Sequence, residues 1–293
     1  MIDPELDPPF LFLEPSDIRA PVLVNSPHSG HNLPRSFLAK TRLSAHELLR
    51  SADLYMDEMI APALQFGVPI AQVHFPRAFL DVNREPYELD PRMFDRKPPS
   101  FANTRSLRVT SGYGTVPRLV AEGVDIYRGR LPLEDALDRI DRYYLPYHAA
   151  LRQALDRLHQ RFGMAMLIDC HSMPSASLIG PARFNDIVLG DRHGTSCAPE
   201  LIDLAESVLR MTGLTVARNH PYSGGFITEQ YGNPVAGIHA LQIEVNRALY
   251  MDEATYRPHT GFEATRQALM TLVEALTDLQ LPSVPPSLRL AAE

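Results

Sequence analysis

The sequence predicts an α/β protein in which helices cover both faces of a central sheet. Three observations carry that prediction. Short apolar, β-branched runs alternate with helical stretches along the chain. One run, Met164-Ala-Met-Leu-Ile-Asp169, is apolar without alternation, as in a strand buried on both faces. Metal-capable polar residues sit at the carboxyl ends of predicted strands, where open α/β sheets form their ligand crevice. With 293 residues, 45% of them hydrophobic, the chain is long enough to bury a sizeable core around such a sheet.

The first predicted strand is Pro21-Val-Leu-Val-Asn-Ser26, which ends in a polar cluster. Ser44-Ala-His-Glu47 reads as a capping box that opens a helix running to about Gln65, with Gly67 just past its end. Its apolar stripe is Leu49, Ala52, Met56, Met59 and Ala63. Strands follow at Pro69–Phe75 and Phe79–Asn83. Helices are expected at Leu133–Tyr144 and Pro146–Arg161, with Pro146 in the first turn of the second. After the Met164–Asp169 strand come a helix over Ala198–Met211 closed by Gly213, strands at Leu214–Asn219 and Ala240–Asn246, and a long helix over Phe262–Leu279. Residues 1–20 read as an N-terminal extension and 281–293 as a loosely attached tail. Residues 21–280 read as a single domain, interrupted at about 85–130 by a loop-rich stretch whose scattered apolar residues point to a functional insertion.

Composition removes several function classes. A net charge of −7 argues against a nucleic-acid binder, and no apolar run reaches the ~18 residues needed to cross a bilayer. The two cysteines, Cys170 and Cys197, are too few for a disulfide framework, and the N-terminus has no leader pattern, so a cytoplasmic protein is expected. No phosphate loop, H-E-x-x-H or G-x-S-x-G signature occurs.

Candidate chemistry lies elsewhere. His28 follows the first strand and His171 the central one, a pairing that suits a catalytic metal site needing three protein ligands and one open position. Asp53 sits on or beside the apolar face of the first helix, where a carboxylate is costly unless coordinated or paired; Asp57, one turn on, shares that property. Arg84, after Asn83, can grip a substrate carboxylate or pair with Glu85 or Glu88. Glu244 interrupts an apolar strand, with Gln242, Glu244 and Asn246 on one face and Leu241, Ile243 and Val245 on the other. It belongs to a site if that strand is central and to a solvated face if it is an edge. Gly224-Gly225 permits close backbone approach.

Five stretches, Asn25-Ser-Pro-His-Ser-Gly30, Asp81-Val-Asn-Arg84, Asp169-Cys-His-Ser-Met-Pro174, Gly224-Gly-Phe-Ile-Thr228 and Leu241-Gln-Ile-Glu-Val-Asn-Arg-Ala-Leu-Tyr-Met251, together resemble the N-formylglutamate amidohydrolase (deformylase) family. The resemblance implies a three-layer α/β/α fold with a mixed, mostly parallel sheet, like that of zinc carboxypeptidases, and one Zn²⁺, with other divalent transition metals as alternatives. It implies His28, Asp53 and His171 as ligands, and His31 or Asp57 as replacements for Asp53. Glu244 becomes the general base, Asn83 and Arg84 the grip on the substrate carboxylate, and Arg247, Gly224 and Gly225 further substrate contacts, with Asp169 behind the ligands. The implied reaction is hydrolysis of an N-acyl amino acid, N-formyl-L-glutamate to L-glutamate and formate, in histidine degradation. A different acyl amino acid, a non-catalytic zinc or small-anion binding protein, and a Cys170 nucleophile remain as rival readings, and Arg105 and Arg108 as other carboxylate partners.

Overall fold

The computed structural model describes residues 3–278. The strands are β1 (Phe10–Leu13), β2 (Val22–Ser26), β3 (Ile70–Val73), a small hairpin of β4 (Leu119–Ala121) and β5 (Val124–Asp125), then β6 (Ala165–Met173), β7 (Ile187–Gly190), β8 (Val216–Arg218) and β9 (Ile238–Asn246). β1, β2, β3, β6, β7, β8 and β9 form one seven-stranded sheet in the order β1-β3-β2-β6-β9-β7-β8, and two further short strands, Met251–Asp252 and Arg257–Pro258, pair only with each other. β3, β2, β6 and β9 are mutually parallel. β1 and β7 run antiparallel to their neighbours β3 and β9, so the sheet is mixed and mostly parallel, as expected.

Strand alternation divides the core in two. Val22, Val24, Met166, Ile168, Leu241, Ile243 and Val245 face a layer built from residues 56–66 and the helices Pro199–Met211 and Gly261–Thr277. Leu23, Ala71, Leu167 and Ala240 face the other layer, made by the helical run from Leu133 to Phe162, the short helix Phe226–Tyr231 and the loops between 76 and 131. A fully buried leucine or isoleucine contributes roughly 1.5–3 kcal/mol, and both faces are filled with them. The result is a three-layer α/β/α arrangement.

Several elements differ from the sequence prediction, each for a local reason. The helix expected from Ser44 to Gln65 begins with its capping box intact but breaks at Ala52–Tyr55. There the Asp53 N–H donates to the His28 carbonyl (2.9 Å) rather than along a helix, and Tyr55 takes a left-handed φ of 68°. Met56–Ile60 and a tighter turn over Ala61–Phe66, which accommodates Pro62, complete the segment up to Gly67. Asp53 is therefore held in a break between helical turns, not on a helix stripe. Phe79–Asn83 forms turns rather than a strand. The two helices predicted around Pro146 are one run, in which residues Ile140–Tyr144 widen to a π turn just before the proline. β6 continues past Asp169 to Met173, so His171 lies within the strand. β1 and β7 were not among the expected strands. The predicted tail 281–293 and the helix end at Leu279 fall outside the described residues.

Candidate metal centre and active site

The site forms on the helix-run side of the sheet, at the carboxyl ends of β2, β6 and β9. His28 leaves β2 two residues after its last strand residue, and His171 and Glu244 sit side by side in register on β6 and β9. Because β9 lies between β6 and β7, Glu244 is on a central strand rather than an edge. Asp53 is brought in from the helix break by its backbone bond to His28.

His28, Asp53 and His171 are buried and each offers one ligand atom to a common point. The two Nδ1 atoms are 3.1 Å apart, and Asp53 Oδ2 lies 3.1 Å from that of His171 and 3.6 Å from that of His28. Tetrahedral ligands at bond lengths near 2.0–2.1 Å stand about 3.3 Å apart, so this triangle fits a small divalent cation. The far nitrogens support the same conclusion. His28 Nε2 is 2.8 Å from Asp81 Oδ1, and His171 Nε2 is 2.9 Å from Asp169 Oδ2. A carboxylate that accepts a hydrogen bond from Nε2–H keeps the proton on that nitrogen, leaves the Nδ1 lone pair free for a metal and fixes the ring plane. The third candidate, Asp53, is steadied from behind: Arg247 Nη2 and Ser172 Oγ each donate to Asp53 Oδ1 at 3.1 Å.

Asp81 joins this centre to its surroundings. It also accepts from the Asn83 N–H (2.9 Å) and from Arg77 Nε (2.8 Å). Burial opposes its charge, but the Arg77 and Arg84 guanidinium groups and His28 hold its carboxyl well below the usual carboxylate range. The turn carrying Asp81, Asn83 and Arg84 is not part of the sheet; the Asp81 N–H donates to the Thr115 carbonyl (2.8 Å), and the long helical run secures the rest. Arg139 donates to the Phe79 carbonyl (2.8 Å), His148 Nε2 meets that of Val82 (2.8 Å), and the Tyr144 hydroxyl donates to that of Arg84 (2.6 Å).

A cavity of about 870 Å³ opens over the centre, with Asp53, Asp81, His171, Glu244, Arg77, Arg84 and Arg247 on its wall and floor. The β4–β5 hairpin region, Tyr113, Tyr222 and Tyr256 form its rim. Burial is the main force on Glu244, and it pushes the carboxyl up to about 7 against the opposing pull of His171 and two arginines. An acid that titrates near neutrality beside a metal-capable triad, inside a cavity, is suited to taking a proton from water.

The N-formylglutamate amidohydrolase family matches residues 20–251 of this chain. The chain belongs to that family. Two N-formylglutamate deformylases are similar along most of their length. The Pseudomonas putida protein is 30% identical, over 88% of this chain and 92% of its own. The Pseudomonas aeruginosa protein is 31% identical, over 88% and 93%. The crystal structure of N-formylglutamate amidohydrolase from Ralstonia eutropha JMP134 superposes with a TM-score of 0.87 at 34% identity, covering 92% of this chain and 97% of that one. A gene product of Agrobacterium tumefaciens, Atu2144, shares the fold at a TM-score of 0.65 and 19% identity, over 92% and 93% of the two chains.

Set beside the family motifs, the expected site residues divide by location. His28, Asp53, His171, Glu244, Arg84 and Asp169 meet at the centre or its wall. His31 is exposed, and neither it nor Asp57 belongs to the ligand triangle. Arg247 reaches the cavity, but its guanidinium is engaged with Asp53, Ser172 and the Arg50 carbonyl. Asn83 is buried beneath the wall, with its Oδ1 accepting from the Ile227 N–H (2.7 Å) and its Nδ2 3.3 Å from His171 Nε2. Gly225 packs so closely on that amide that an added Cβ would stand 2.3 Å from Asn83 Nδ2. Gly224 adopts φ 119°, a conformation glycine tolerates. Arg105 and Arg108 lie off the cavity wall. Cys170 points into the opposite core, where burial pushes its thiol up, which removes it as a nucleophile. Sequence reasoning assigned no role to Arg77, Gln242 or Asp81. Asp81 carried a usable signal, a carboxylate inside the apolar run Phe79-Leu-Asp-Val82; Arg77 carried none.

Proposed function

We propose that this protein is a zinc-dependent amidohydrolase that cleaves N-formyl-L-glutamate to L-glutamate and formate. The observation that carries the reading is the buried His28–Asp53–His171 triangle with Glu244 beside it in register, in a chain whose relatives are named as deformylases. A Zn²⁺ held by the triangle would acidify water and polarise the acyl oxygen. Glu244 takes the proton from the attacking water and returns it to the departing amide nitrogen, the two transfers that a carboxylate near neutrality performs best. Arg84 and Arg77, both on the cavity wall, supply positive charge for the substrate carboxylates; Arg84 holds its own orientation through the carbonyls of Tyr113 and Asn83. Arg247 keeps Asp53 aimed at the ligand point, and Asn83 with Gly225 ties the 224–228 turn to the back of His171.

The direct test is formate release from a panel of N-formyl, N-acetyl and N-succinyl amino acids by zinc-loaded protein. N-formyl-L-glutamate should be turned over with the highest kcat/KM, and chelator treatment should abolish turnover until zinc is restored. Absence of turnover on every member of the panel by fully loaded protein would overturn the reading in favour of a binding role.

A further inference from the structure

We infer that Gln242 is a positioning residue for the Glu244 carboxylate, selecting which of its oxygens faces the cavity. The inference rests on Glu244 being the general base proposed above. Residues two apart on a strand share a face, and Gln242 is buried beside Glu244 on that face of β9, 4% exposed. Its side chain bridges two groups. Gln242 Oε1 accepts from the Gly225 backbone N–H at 2.7 Å, and Gln242 Nε2 donates to Glu244 Oε1 at 2.9 Å.

That bridge can be made in only one direction. A backbone N–H only donates, so the atom it meets must be the amide oxygen, and the NH₂ group is left to point at Glu244. One carboxylate oxygen is thereby occupied. Oε2 has no hydrogen-bond partner among the described residues and is free to meet water. Without the bridge Glu244 has a competing choice, because Arg77 and Arg247 both pull on its charge, and turning toward either would withdraw the basic oxygen from the reacting water.

The surroundings are shaped to bring the bridge together. Gly190, directly across from Gln242 on β7, has no room for a side chain, since an added Cβ would stand 2.7 Å from the Gly224 nitrogen and from the Ser223 carbonyl carbon. The 223–225 turn therefore settles onto the sheet at the point where its N–H reaches Gln242. Gln242 makes no hydrogen bond to His28, Asp53 or His171; it reaches the chemistry directly through Glu244 and otherwise only through the Gly225 turn, and a loss through that turn would be the same whether or not Glu244 is present.

A double-mutant cycle tests this. Gln242→Met keeps the volume and removes both hydrogen bonds. Zinc content should stay near that of the parent, the unfolding temperature should fall modestly as the Gly225 N–H loses its acceptor, KM should stay within about twofold, and kcat should fall about 10- to 100-fold, the scale of losing such a supporting contact. Introduced into Glu244→Gln, the same change should cost nothing further, because the base it serves is gone. An equal loss in both backgrounds, or an unchanged kcat in Gln242→Met alone, overturns the inference. If Gln242→Met does not fold, Gln242→Asn gives the same cycle, since its amide is one methylene too short to span both partners. The two levels of failure separate: near-normal kcat in Glu244→Gln removes the general-base reading and this inference with it, whereas an inactive Glu244→Gln beside a fully active Gln242→Met removes only the inference.

Discussion

Glu244→Gln should make the protein a poorer enzyme and, without its metal, a more stable fold. Burial moves this carboxyl from an ordinary 4.5 to about 7. At about 1.4 kcal/mol per tenfold change in proton affinity, ionising it inside the protein costs about 3 kcal/mol. The sign follows from linkage. The folded state holds the proton up to about 7 while the unfolded chain has released it above about 4.5. Stability is therefore lost as pH rises between those values, with the full penalty present above about 7. Glutamine has the same shape and cannot ionise. Denaturant unfolding of chelator-treated proteins should find Glu244→Gln more stable than the parent by about 3 kcal/mol at pH 8 and by under ~1 kcal/mol at pH 5. In the zinc-loaded state kcat should fall by about 10² to 10⁴. A variant no more stable than the parent at pH 8 would refute the buried, strained carboxylate, and a near-normal kcat would refute its role as base.

Three further changes test other parts of the site. His28→Ala and His171→Ala should each lose most bound zinc on metal analysis, and Asp53→Asn should bind it more weakly; stoichiometric zinc in any of them excludes that residue as a ligand. Asp81→Asn, which keeps shape but weakens the acceptor behind His28, should reduce zinc affinity about 10- to 100-fold by competition with a chromogenic chelator, and unchanged affinity would make Asp81 purely structural. Arg84→Lys keeps the charge but loses the bonds to the Tyr113 and Asn83 carbonyls that aim the guanidinium at the cavity, so kcat/KM should drop for N-formyl-L-glutamate and change little for its α-amide; equal losses on both would move the carboxylate contact to Arg77.

What the sequence made legible follows the strength of local signals. β2, β6 and β9 were readable because buried parallel strands are continuous apolar runs, and a Glu inside one of them stands out. The capping box at Ser44 was readable because it depends on two residues alone. The helix it opens was overextended because its apolar spacing continues through Asp53, whereas the break there is imposed by His28, a distant partner invisible to periodicity. The same limit hid β1 and β7: four residues each, their status as strands comes from the neighbours they pair with. At the site, the residues that come together, His28, Asp53, His171 and Glu244, stood out by their chemistry, but the division of partners among the arginines did not. Arg247 and Arg84 look alike in sequence, and only their partners separate one that braces Asp53 from one that lines the wall.

The family's shared span begins at residue 20, yet the sheet begins ten residues earlier. β1 closes the outer side of β3 by antiparallel pairing along its whole length, Phe10 opposite Val73 to Leu13 opposite Ile70. A protein trimmed to the matched span would keep His28, Asp53, His171 and Glu244 but lose the rings of Phe10 and Phe12, which pack against Tyr147, so apolar surface that the first strand covers would meet water. The first strand thus serves the fold rather than the chemistry, and a shortened form should unfold at a lower temperature with those four residues still present.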